Sequence, residues 1–170
     1  MPATLAALVK DVSQENQVDH PVVKHLQRQV ANAFVLYANY KHYHWQTFGP
    51  LFRDLHMMFD EFATDVLGTT DEMAERIRMI GQDVKNVQLK QIQEAASVHS
   101  AAVGQSIQEM IQEADANLLV VIKEMRDAAR VADESNDPGT VDLFSNVVQI
   151  HEKQEWFLRE ILKKKDGLVA

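Results

Sequence analysis

The sequence predicts an all-α protein: four long helices packed as a bundle, with a short extra helix in the connection between helices two and three. Three observations point there. Glycine (6) and proline (4) are scarce in 170 residues and, Gly68 apart, sit at or near the edges of longer segments, where such residues punctuate structure. Inside those segments apolar residues recur at helical spacing. No stretch shows the alternation of a half-buried strand.

The elements follow in order. Asp19-His20-Pro21 opens a segment running to about Phe48, with proline tolerated in the first helical turn. Phe48-Gly49-Pro50 breaks it and restarts a second helix, LFRDLHMMFDEFATDVLGTTDEMAERIRMI, with Gly81 as its stop. Residues 82 to 104 are the least regular, although LKQIQEAAS is spaced as a short helix needs. A third long helix from about Gln105 to Asp133 carries the stripe Ile107, Met110, Ile111, Ala114, Leu118, Val121 and Met125. Asn136-Asp137-Pro138 caps and opens a fourth, reaching about Lys165. The connection between helices two and three is long enough to cross the bundle instead of closing a hairpin. Residues 1–20 are then an N-terminal extension, 21–165 one bundle domain and 166–170 a tail.

Composition narrows the function. With 46% apolar residues the chain can build a real core. It has no cysteine, which excludes a disulfide framework, a zinc ribbon and a thiol nucleophile. Lys and Arg number 17 against 25 Asp and Glu, a net charge of −8; that repels nucleic acid and suits a protein that collects cations. The apolar run near Ala3–Val9 lacks the flanks of a signal peptide, and no run approaches the ~18 residues of a membrane helix. A cytoplasmic protein is expected.

Of the histidines at 20, 25, 42, 44, 56, 99 and 151, none has a glutamate three residues before it. The Glu-x-x-His motif of a di-iron site within one bundle is therefore absent. HExxH, Walker and GxGxxG patterns are absent too. The second helix carries the informative pattern. His56 and Asp60 are four apart, and so are Asp71 and Glu75. Eleven residues from Asp60 to Asp71 leave a net rotation of only ~20°, so both pairs share one side of the helix, roughly 16 Å apart along it. Either pair alone is what a solvated helix face ordinarily carries. One arrangement gives both a purpose. Two copies of the helix, antiparallel about a two-fold axis, would set His56 and Asp60 of one chain against Asp71 and Glu75 of the other. His44, just before the turn, would add a third ligand. Two imidazoles and three carboxylates suit Fe(II) and its Fe(III) product, with no thiolate to favour zinc or copper; zinc at the same ligands stays open. The axis would pass near Asp65 and Val66, with Ala63, Val66, Leu67 and Gly68 allowing close approach. The two equivalent sites would lie roughly 22 Å apart.

These residues carry a resemblance. HWQTFGPLFRDLHMMFDEF, with DEMAERIRMIG closing the same helix, resembles the Dps family of mini-ferritins. The family's His-Trp, a His twelve residues on, an acid four beyond and D-x-x-A-E-R are matched by His44-Trp45, His56, Asp60, Asp71, Ala74, Glu75 and Arg76. DPGTVDLF and EWFL near the C-terminus are also similar to the family, and LFRDLHMMFDEF and the KKKDGLVA ending are similar to its cyanobacterial members. The resemblance implies a ferritin-like four-helix bundle assembled as a hollow dodecamer. It implies Fe(II) oxidation, preferably by hydrogen peroxide, at five ferroxidase ligands matching His44, His56, Asp60, Asp71 and Glu75, and storage of the ferric mineral. Asp137 and Asp142 match aspartates near the family's three-fold pores, although Asp137 before Pro138 is equally a helix cap.

Trp45 is expected either to take up stray oxidising equivalents or to pack in an interface. His42 is expected in solvent, His151 as an extra ligand or a core histidine, and Met57, Met58 and Met73 in the core. DNA binding is expected to be weak or absent. Residues 1–20 hold one lysine, Lys10, against Asp11, Glu15 and Asp19, and Lys163, Lys164 and Lys165 form the only basic run. The competing reading is a DNA-binding nucleoid protein whose metal is only structural.

Overall fold

The computed structural model describes residues 20–85 and 87–163; most of the expected N-terminal extension, the tail and Lys164–Lys165 lie outside them. All regular structure among the described residues is helical: α1 Val23–Gln46, α2 Phe52–Met79, α3 Leu89–Ala95, α4 Ile107–Glu134 and α5 Pro138–Ile161. The all-α bundle and the short extra helix are as expected. The ends follow local chemistry. Gly49 (φ 83°) and Gly81 (φ 80°) take the left-handed conformation that turns the chain after α1 and stops α2. Ser106 and Glu109 form a capping box at the start of α4. Asp137 caps α5, accepting from the Thr140 amide at 3.0 Å.

α1 packs on α2 and α4, and α5 packs on α4 and α2. α2 and α4 are therefore diagonal in the bundle, and the connection between them crosses it. Polar side chains of α1 pin that crossing from end to end. Gln27 Nε2 donates to the Asp83 carbonyl at 2.7 Å. The Asn32 side-chain oxygen accepts from the Ser97 amide at 2.7 Å. Asn39 donates to the His99 carbonyl and accepts from the Ala101 amide, both at 2.7 Å. Asn32 and Asn39 are buried, and these bonds supply the partners that buried amides require. Because the connection runs along α1 from its start to its end, α4 begins beside the end of α1 and points the same way as α2.

The core holds the expected stripe of α4: Met110, Ile111, Ala114, Leu118, Val121 and Met125 are buried, and Ile107 is partly so. Tyr40, Tyr43, Phe59 and Phe62 fill the interior between α1 and α2, with Tyr43 and Phe59 ring centroids 5.2 Å apart. Three expectations are corrected. Ala63 and Val66 are in the chain's own core at 1% and 0% exposure, so only Leu67 and Gly68 of the four contact residues face outward. Met57 is exposed, whereas Met73 is buried. His42 is half-buried, its ring edge-on to Tyr43. No helix among the described residues is long and apolar enough to cross a membrane.

Candidate metal centre

His44 lies in the last turn of α1 and His56 in the first turns of α2. The tight turn through Gly49 and Pro50 folds these two ends back on each other. The result is a reciprocal pair. His44 Nδ1 is 2.7 Å from the His56 carbonyl oxygen, and His56 Nδ1 is 2.8 Å from the His44 carbonyl oxygen. A carbonyl oxygen only accepts, so each ring carries its proton on Nδ1 and leaves a lone pair on Nε2. This is the outer bond that orients metal-binding histidines, made here twice between the two candidates. The rings stack with centroids 3.7 Å apart and 19° between planes, and Phe52 covers His56 at 5.1 Å.

Asp60, one turn beyond His56, is half-exposed and engaged: Lys41 Nζ donates to it at 2.6 Å. That hydrogen bond, with the charge of Lys41 and smaller effects of His44 and His56, holds the Asp60 carboxyl below its ordinary range despite some desolvation. Lys41 Nζ also lies 5.7 Å from the centroid of the Trp45 ring, which is 68% exposed. Asp71 and Glu75 project into solvent with no partner among the described residues. No three His, Asp or Glu side chains of one chain converge to hold a metal among those residues. One chain therefore carries two separate groups of candidate ligands: His44, His56 and Asp60 near the start of α2, and Asp71 and Glu75 near its end.

The remaining candidates lie elsewhere. Asp137 is buried at the α5 cap and accepts from Thr140 Oγ1 and from Arg76 Nη2, each at 2.5 Å. Burial would raise its pKa, but the bonds from the Thr140 hydroxyl and amide and then the Arg76 charge pull it below the carboxylate range. Arg76 also donates to Thr140 Oγ1 at 2.9 Å, so this arginine fastens α2 to α5. Asp142, one turn on, is exposed. His151 is fully buried; its Nδ1 lies 3.2 Å from Gln154 Oε1, and its Nε2 has no partner among the described residues. Burial lowers its pKa to about 4, so the ring is neutral at pH 7. Sequence reasoning missed Lys41, whose pairing with Asp60 spans two helices.

A family model for the ferritin-like domain matches residues 23–167. The chain is 35% identical over 138 residues to the DNA protection during starvation protein (Dps) of Brevibacillus brevis, spanning 81% of this chain and 92% of that one. The chain belongs to the Dps family. Among solved structures, Dps from Thermosynechococcus elongatus superposes with a TM-score of 0.82 at 41% identity, over 96% of this chain and 99% of that one. Dps from Vibrio cholerae, described as a member of a broad superfamily of ferritin-like diiron-carboxylate proteins, gives a TM-score of 0.78 at 28% identity, over 96% and 98% of the two chains. Their likeness spans the same bundle that positions the His44–His56 pair in this Dps protein.

Proposed function

We propose that this Dps protein oxidises Fe(II) with hydrogen peroxide at sites shared between two copies of the chain, and stores the ferric product within a hollow dodecamer. The observation that carries this reading is the reciprocal His44–His56 pair, two oriented imidazoles with free Nε2 lone pairs and too few neighbours in their own chain to complete a metal site. His44, His56 and Asp60 of one copy, with Asp71 and Glu75 of a second, supply the mixed nitrogen and oxygen donors that suit iron. Zinc takes the same donor types and competes for them. Exposed Trp45, Phe48, Leu51 and Phe52 cluster around the turn beside the histidines, an apolar patch of the kind that marks a protein interface. Membership of the family supports iron storage and ferroxidase activity in general.

Two Fe(II) held together give up two electrons as a pair, and peroxide takes them with two protons to become two waters. No hydroxyl radical forms on that route. The exposed carboxylate of Asp142, near the Asp137 cap, is the member of that pair suited to drawing cations toward a pore. Weak DNA binding fits the net charge of −8 and the pairing of Lys163 with Glu160.

An anaerobic Fe(II) titration followed by stoichiometric peroxide tests the reading. The expected result is saturable Fe(II) binding and loss of two Fe(II) per peroxide without radical adducts of a spin trap. Oxidation at the rate and stoichiometry of protein-free solution would overturn it.

A further inference from the structure

Tyr40 and Tyr43 are both fully buried on successive turns of α1, but their hydroxyls are not equivalent. The Tyr40 hydroxyl has no hydrogen-bond partner among the described residues. The Tyr43 hydroxyl donates to Glu113 Oε1 at 2.6 Å, the length of a charge-assisted O–H···O⁻ bond. Glu113 is itself held in place by Gln105 Nε2 at 2.8 Å and the Ala102 amide at 3.1 Å. Tyr43 directly precedes His44 and packs on Phe59 in the core.

We propose that Tyr43 and Glu113 form a built-in one-electron donor beside the metal centre, which quenches oxidants that escape paired electron transfer. The oxidant is a hydroxyl radical or an equivalent one-electron species, and its origin in iron and peroxide rests on the function proposed above. Tyr43 gives it one electron, and the phenolic proton crosses the 2.6 Å bond to Glu113. The hydroxyl radical becomes hydroxide, and a neutral phenoxyl remains on Tyr43. A further Fe(II) restores it: the electron returns from iron, which becomes Fe(III), and the proton returns from Glu113. A phenol loses an electron far more readily when its proton has somewhere to go, because the alternative is a phenol cation in an apolar core. Tyr40 lacks that outlet, so two buried tyrosines three residues apart differ in function.

The test is electron paramagnetic resonance of freeze-quenched full-length protein in two arms. One uses Fe(II) with sub-stoichiometric peroxide. The other uses metal-free protein and flash-photolysed tris(bipyridyl)ruthenium with persulfate, which needs no iron. A tyrosyl signal is expected in the wild type, in Tyr40→Phe and in Tyr37→Phe, which removes the third tyrosine of the sequence; it is expected to be absent in Tyr43→Phe and weakened in Glu113→Gln. Circular dichroism confirms that each variant keeps its helices. A signal in the photochemical arm that vanishes in Tyr43→Phe upholds the pair even where iron and peroxide yield none; that second result would count against the ferroxidase reading alone. A photochemical signal unchanged in Tyr43→Phe, or equally lost in Tyr40→Phe, overturns the inference.

Discussion

His44 and His56 orient each other: the Nδ1 of each ring is bonded to the backbone carbonyl of the other, at 2.7 and 2.8 Å. Each ring is thus a candidate ligand, and the backbone of each residue supports the other's ring. The acceptors are main-chain oxygens, so removing one ring takes away the stacked neighbour 3.7 Å distant but leaves the other ring its orienting bond.

The first prediction concerns the two imidazole donors. His44→Ala together with His56→Ala is expected to leave the protein assembled and slow Fe(II) oxidation by at least ~10-fold, because carboxylates alone do not replace imidazole donors. Each single variant is expected to lose less than the double, because the remaining ring keeps its bond to the other residue's backbone carbonyl. Initial rates across the four proteins measure the coupling between the rings; wild-type rates in the double variant would contradict the assignment of both imidazoles as ligands.

Lys41 holds the carboxylate of Asp60, one of the ligands in the proposed site. Its ammonium on Asp60 competes with any incoming cation, so Lys41→Met is expected to tighten divalent-metal binding, by roughly two- to fivefold for a partly exposed pair. Isothermal titration with Co(II) on the assembled protein checks this. Weaker binding in the variant would mean that Lys41 positions Asp60 and does not compete for it.

The α2–α5 junction has a separate, structural test. Asp137 is a buried helix cap and the partner of Arg76. Asp137→Ala is expected to cost about 2–4 kcal/mol, combining a lost cap with an arginine left without its carboxylate. Gly139→Ala strains the same junction, since an added Cβ would come within 3.0 Å of the Arg76 guanidinium. Urea unfolding of both variants measures the losses. An Asp137→Ala protein of wild-type stability would free that carboxylate for another role.

Acid should expose His151. Its pKa is lowered to about 4 in the fold by burial, against 6.5 for an ordinary histidine. Between those values the unfolded chain holds a proton that the folded chain does not, so stability is full above about pH 6.5 and is lost as pH falls toward 4. The loss at this ring is on the order of 3 kcal/mol. Denaturant unfolding at several pH values should show a shallower decline between pH 6.5 and 4.5 in His151→Leu than in the wild type; parallel curves would contradict it.

The helices were legible because their periodicity and punctuation agree. Gly81 ends α2 where its left-handed φ allows, and Asp137-Pro138 opens α5 through a cap whose type is written in the residues. The placing of His56/Asp60 and Asp71/Glu75 on one helix was legible for a similar reason, since its rotation is fixed arithmetic. Contacts between helices were not. Nothing in the order of residues says that Lys41 reaches Asp60, that His44 and His56 bond each other's carbonyls, or that Glu113 meets Tyr43, seventy positions earlier. The same limit explains the misplacing of Ala63 and Val66: a small apolar residue on α2 suits a close contact with a second copy or with the chain's own core, and packing put both in the core.

The central claim is that one iron site is completed by two copies of the chain, and subunit mixing tests it most directly. One variant carries His44→Ala and His56→Ala; the other carries Asp71→Ala and Glu75→Ala. Each alone is expected to lose peroxide-dependent Fe(II) oxidation. In a mixed pair, one site combines both defects and the other combines both intact halves. Unfolding and reassembling the variants together in equal amounts should therefore restore about a quarter of the wild-type sites, for random pairing about a two-fold axis. Recovery of that order, after mixing two inactive proteins, is the expected result. No recovery in a mixture that reassembles fully, or full activity in either variant alone, would contradict the shared site.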